Sequence, residues 1–97
     1  MKPQFVLLLC DVSCNWEGDP PTYRLFVNEE MFTERTFIWP DHYLEENIQI
    51  LAPPGKYSIR FELLDHSQAT IRVKNCRVVE GPAREFKGTL EIFDENT

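Results

Sequence analysis

Apolar residues recur at every second position through most of the chain, and Gly and Pro interrupt them at short intervals. The clearest case is Tyr57 to Leu63, where Tyr57, Ile59, Phe61 and Leu63 alternate with Ser58, Arg60 and Glu62. A period of two is the mark of a strand with one buried face. Thr22 to Asn28 has the same form, with Tyr23, Leu25 and Val27 on one parity, and Met31 to Trp39 follows it after a tight turn at Asn28-Glu29-Glu30, which predicts a hairpin. Gln4 to Asp11 is nearly continuous apolar, so it predicts a strand buried on both faces or central in its sheet, and Val12 to Pro21, with Asn15, Gly18, Asp19 and two prolines, predicts a loop.

The second half continues in the same way. Tyr43 to Leu51 places Leu44, Ile48 and Ile50 on one parity, with Asp41 as a candidate N-cap for a helical turn before it. Pro53-Pro54-Gly55-Lys56 and His66 to Ala69 are turn signals. Ile71 and Val73 share one parity whereas Cys76 and Val78 share the other, so a β-bulge is expected near Lys74-Asn75. After Gly81-Pro82, a last strand from Phe86 to Phe93 would turn Phe86, Leu90 and Ile92 inward, and residues 94–97 form a polar tail. Seven or eight short strands with no convincing helix predict an all-β protein, an antiparallel β-sandwich of jelly-roll or immunoglobulin-like type. At 97 residues the chain is expected to form one domain, 1–97.

Charge narrows the partners. Ten basic against sixteen acidic side chains give a net charge of −6, which argues against nucleic acid and anionic membranes. No apolar run approaches the roughly 20 residues of a membrane span. The acids concentrate in residues 1–50, in the loops expected at 11–19, 28–34 and 41–46, and the pairs Glu29-Glu30 and Glu45-Glu46 are expected to face solvent. Three cysteines, Cys10, Cys14 and Cys76, are an odd number and fit a reducing compartment, so a cytoplasmic location is expected.

Candidate chemistry is sparse. Cys10, Cys14 and Cys76 with His42 or His66 would be the only zinc set, but no second close Cys or His pair exists, and no metal or cofactor is expected. Asp11, Asn15, Glu17 and Asp19 would be the oxygen donors of any loop calcium site, without the order of an EF-hand. Asp41-His42 and Asp65-His66 fall in turns, where polarity explains them without catalysis, and no Gly-rich phosphate loop is present, so the chain is read as non-enzymatic. Trp16, Trp39 and Tyr43, with Asp19, Asp41 and Glu45 near them, are the residues a sugar-binding module would use, stacking rings on a sugar face and bonding its hydroxyls. The competing use of the two Trp rings is to plug the ends of the sandwich. The Thr22–Trp39 hairpin is apolar on both faces, which marks Phe26, Met31 and Phe37 as interface candidates.

Two stretches, Tyr23 to Trp39 (YRLFVNEEMFTERTFIW) and Tyr43 to Tyr57 (YLEENIQILAPPGKY), resemble small proteins of tailed phages, especially those infecting cyanobacteria. The resemblance implies a β-sandwich and a viral origin, in the host cytoplasm or the virion, and brings no activity or functional motif. The expected function is therefore a non-enzymatic interaction or structural domain with a protein partner or self-association, and the alternative is a carbohydrate-binding module, with or without calcium.

Overall fold

The computed structural model describes residues 2–64 and 68–94. Among the described residues eight strands form two packed antiparallel sheets: β1 (Gln4–Trp16), β2 (Thr22–Val27), β3 (Glu30–Thr36), β4 (Leu44–Ala52), β5 (Gly55–Leu63), β6 (Ala69–Glu80), β7 (Ala83–Phe86) and β8 (Thr89–Ile92). One sheet has the order β4-β1-β6 and the other β3-β2-β5-β8-β7. This is the β-sandwich that the alternation predicts.

Why β1 is central is written in its composition. Val6, Leu8, Cys10, Val12 and Cys14 point into the sandwich and are buried, while Phe5, Leu7, Leu9, Asp11, Ser13 and Asn15 point out. The strand runs on to Trp16, where a loop from Val12 is predicted. The alternation of Val12 and Cys14 with Ser13 and Asn15 continues the strand, and the ladder from Val12–Val73 to Trp16–Ala69 pairs its backbone groups.

The predicted bulge is present. Leu9 pairs with Arg77 and Asp11 with Lys74, so two residues on β6, Asn75 and Cys76, oppose the single Cys10, and Asn75 takes a left-handed φ of 52°. The shift turns Cys76 and Val78 toward the core that Ile71 and Val73 already face.

Three segments depart from the expected elements. The helical turn at Asp41 is absent; Asp41 itself adopts a left-handed φ of 62° in a turn. The predicted last strand is a hairpin, β7–β8, closed by Lys87-Gly88, both at positive φ as a two-residue hairpin loop demands. That break reverses the side-chain phase, so Leu90 and Ile92 are core but Phe86 faces solvent, 67% exposed. Finally, β3 stops at Thr36, and the N–H of Phe37 bonds the carbonyl of Pro21 at 2.8 Å, carrying the Phe37 ring into the core. The turn predicted at His66 to Ala69 lies partly outside the described residues, as do Glu95 to Thr97 of the tail.

The core has two adjoining parts. Val6, Leu8, Cys10, Leu25, Ile48, Ile50, Leu90 and Ile92 form one; Val12, Cys14, Tyr23 and Phe37 form the other, and Phe61 and Val73 pack against both.

Candidate functional site

At one end of the sandwich the rings of Trp16, Phe37 and Trp39 meet edge to face, with centroids 6.1 Å and 5.3 Å apart. This geometry favours aromatic packing. Beside it the 41–43 turn stands off β1 and leaves a groove of about 600 Å³, walled by Asp41, His42 and Tyr43 on one side and Asp11, Ser13, Asn15, Lys74 and Asn75 on the other. A smaller groove next to it is lined by Asn15, Trp16, Pro40 and Asp41. Trp16, Asp41 and Tyr43 are thus brought together. Asp19 lines neither groove, and Glu45 lies on the outer face of β4, held by Arg77. The Trp rings serve mainly to close the sandwich over Phe37, and Tyr43, 65% exposed, is the ring left free to touch a ligand.

The calcium donor set does not assemble around an ion-sized space: Asp11 accepts from Asn75 Nδ2 at 3.1 Å and Arg77 Nη1 at 3.3 Å. Among the described residues no group of three or more His, Cys, Asp or Glu is placed to hold a metal. Cys10 and Cys76 lie together, whereas Cys14 packs in the other core cluster.

The interface candidates separate as well. A bulge at Phe32 turns Met31 to the same outer face as Phe26, its partner on β2. There Arg60 lies over the Phe26 ring, 4.3 Å from its centroid. Phe37 is fully buried and so is core rather than contact surface. The rest of that outer face is laced with ion pairs, Arg24–Glu34, Arg60–Glu62 and Arg84–Glu91.

The outer face of the three-stranded sheet is different. Phe5 lies opposite Leu51, with Leu7 and Leu9 next along β1 and Val79 in a second irregularity of β6. Leu51 is 71% exposed and Phe5 and Val79 are each about half exposed, 43% and 50%. Among the described residues no element of the sandwich covers this apolar end. Glu80 stands beside Leu7 at the edge of this end; with Asp11 and Glu45 farther along, it is balanced by Arg72, Lys74 and Arg77, so the face as a whole is neutral on a protein of net charge −6.

One polar group was hidden from the sequence. Glu46 is 3% exposed and not solvent-facing as predicted for the Glu45-Glu46 pair. Its carboxylate accepts from Arg35 Nε at 2.8 Å and Arg35 Nη2 at 3.0 Å, and the Tyr23 hydroxyl donates to the same Oε2. The triad ties β4 of one sheet to β2 and β3 of the other, and among the described residues no buried side-chain polar atom lacks a partner. The available signal was parity: Glu46 sits in phase with Leu44, Ile48 and Ile50, where an acid must be paired to be buried.

Burial, and then the bond to Glu46, push the Tyr23 hydroxyl well above the usual tyrosine range, and burial lifts the Cys14 thiol to about 11. Both acids hold their protons longer in the folded state than in the unfolded one. The contribution of these two groups to stability should therefore be constant below about pH 8 and fall above about pH 9, first through Cys14, with the buried Cys10 thiol acting in the same direction, and then through Tyr23. Urea unfolding from pH 8 to pH 11 checks this, with Tyr23→Phe expected to flatten the slope above about pH 10. A slope unchanged in that variant would exclude Tyr23 as its source.

The fold and these surfaces define a small antiparallel β-sandwich domain. Compared with family models, curated proteins and solved structures, the chain matches none of them. Among the described residues no helix is long and apolar enough to cross a membrane.

Proposed function

We propose that this protein is a non-enzymatic interaction domain that pairs with a second copy of itself through the outer face of its three-stranded sheet. The observation that carries this reading is the uncovered apolar end made by Phe5, Leu7, Leu9, Leu51 and Val79. Isolated exposed apolar residues are ordinary, but a contiguous set on a flat sheet face is a contact surface. A second copy is favoured over an unlike partner by charge. Two copies of an acidic protein repel unless the meeting faces are neutral, and the balance of Asp11, Glu45 and Glu80 against Arg72, Lys74 and Arg77 makes this one neutral. A twofold pairing needs the same patch on both sides, which a sheet face supplies.

The sugar-binding alternative is supported less well. Its groove has Tyr43 and several hydroxyl partners, but both tryptophans are engaged with Phe37. The viral origin, with a place in the host cytoplasm or the virion, belongs to the same proposal and is supported by the resemblance of residues 23–57.

Sedimentation equilibrium of the reduced protein up to millimolar concentration tests the reading. The expected result is a monomer–dimer equilibrium that Leu51→Glu shifts toward monomer by at least about tenfold, since losing one buried leucine is worth about 1.5–3 kcal/mol. Leu51 is exposed, so the variant should remain folded. A wild-type monomer throughout the range overturns the proposal.

A further inference from the structure

Cys10 and Cys76 are the two nucleophilic side chains that the fold brings together. In an unbroken strand Cys76 would alternate away from Ile71 and Val73 and face outward. The bulge at Asn75 reverses it, so that Cys76 enters the core cluster holding Cys10, from the strand next to it. Across the bulge Cys10 is opposed by Asn75 and Cys76, and neighbouring strands run about 4.7–4.9 Å apart, which brings the pair into the range of roughly 4.4–6.8 Å between Cα atoms that a disulfide spans. Cys14 is excluded as a partner for Cys10. It lies four residues along the same strand, about 13 Å away at 3.3 Å per residue.

The two thiols are not equivalent. Cys10 is fully buried, but Cys76 lines a cavity of about 540 Å³ between the sheets, walled by Leu8, Ile59, Phe61 and Val73 and rimmed by Glu85 and Lys87. The space admits a small neutral molecule.

We propose that Cys76 and Cys10 form a thiol redox site that reacts with hydroperoxides, hydrogen peroxide being the simplest, and closes to a reversible disulfide. In the first step the Cys76 thiolate attacks one peroxide oxygen, the O–O bond breaks, and the departing hydroxide takes a proton to leave as water. Cys76 is then a sulfenic acid. In the second step the Cys10 sulfur attacks the Cys76 sulfur, the S–O bond breaks, and the hydroxyl leaves as a second water with the Cys10 proton. The two thiols lose two electrons in all, and the peroxide gains them. The division of roles agrees with the protonation of the pair. The neighbouring Cys10 thiol lowers the Cys76 thiol against the opposing effects of burial and the nearby Glu85 and Asp11, and Cys76 together with burial raises that of Cys10. A thiolate at Cys76 is the attacking species and a protonated Cys10 the resolving one.

The test is intact mass and peptide mapping of the folded, reduced protein after hydrogen peroxide treatment. The expected result is loss of two hydrogens, reversed by dithiothreitol, with the Cys10 and Cys76 peptides linked in the unreduced digest. In Cys10→Ser the mass should instead rise by one oxygen, trapped at Cys76 by dimedone. The wild-type linkage needs no variant, so it stands even if Cys10→Ser unfolds. A bridge that includes Cys14, oxygens added to Cys76 in the wild type without a bridge, or no change at peroxide levels that oxidise the urea-unfolded chain would each overturn the proposal.

Discussion

Glu46→Ala should lower the unfolding free energy by about 3–5 kcal/mol, the usual cost of removing one partner of a buried ion pair. The loss has two sources. Tyr23 is fully buried, and without the carboxylate its hydroxyl has no acceptor, a cost of about 1–3 kcal/mol. Arg35 loses a bidentate partner at 2.8 and 3.0 Å. Its side chain is 37% exposed, so the guanidinium relaxes toward water and the total falls at the lower end of the range. Glu46→Gln keeps the shape and one acceptor oxygen and should cost less than the alanine. Urea denaturation at neutral pH measures both. A loss below about 1 kcal/mol for the alanine variant would mean that the triad does not join the sheets.

Gly81→Ala should be about as damaging, at about 3–5 kcal/mol, for a reason that involves no lost contact. Gly81 follows β6 at a φ of 99°, where an L side chain is strained. A Cβ there would stand 2.9 Å from the Cα of Val6 and inside the contact distance of the Phe5 carbonyl oxygen. Both are backbone atoms of β1, which is held on either side by β4 and β6 and has no freedom to retreat. Gly18→Ala is the control. It has a similar positive φ of 84° but nothing within 4 Å of its Cβ, so it should show the conformational strain alone, about 1 kcal/mol. Equal melting temperatures for the two variants would remove the steric explanation.

The sequence was most readable where the period of two ran unbroken. In β2, β4 and β5 the inward set follows directly from parity, and even the β6 bulge was visible as a change of phase between Val73 and Cys76. It was least readable where an element's end depends on a partner far along the chain. Val12 to Trp16 looks like a loop until β6 is there to pair with it, and Phe37 looks like a strand residue until Pro21 captures its N–H. Phe86 faces out and not in because Lys87-Gly88 makes a two-residue turn within the segment expected as one strand and resets the phase. The candidate site followed the same division. Local neighbours such as Asp41 and Tyr43 do share a groove, but the Tyr23–Glu46–Arg35 group joins three strands, and a local pattern carries no record of which strands meet. The apolar outer row of β1 was legible as a continuous run; that it lies open to solvent depends on how many strands each sheet received.

The position of β1 also governs the order of assembly. It comes early in the chain, yet one of its neighbours, β6, is made only after β2 to β5, with Leu9 waiting for Arg77. The hairpins β2–β3 and β7–β8 close from short-range contacts, whereas the three-stranded sheet exists only when distant segments arrive together. Until β6 arrives, a strand whose first half is apolar on both faces keeps an unpaired edge, the condition under which nascent chains find one another instead of themselves. The same row of residues proposed as the contact surface of the finished protein is therefore its principal hazard during synthesis, and slow, topology-limited closure is the kinetic signature of that arrangement.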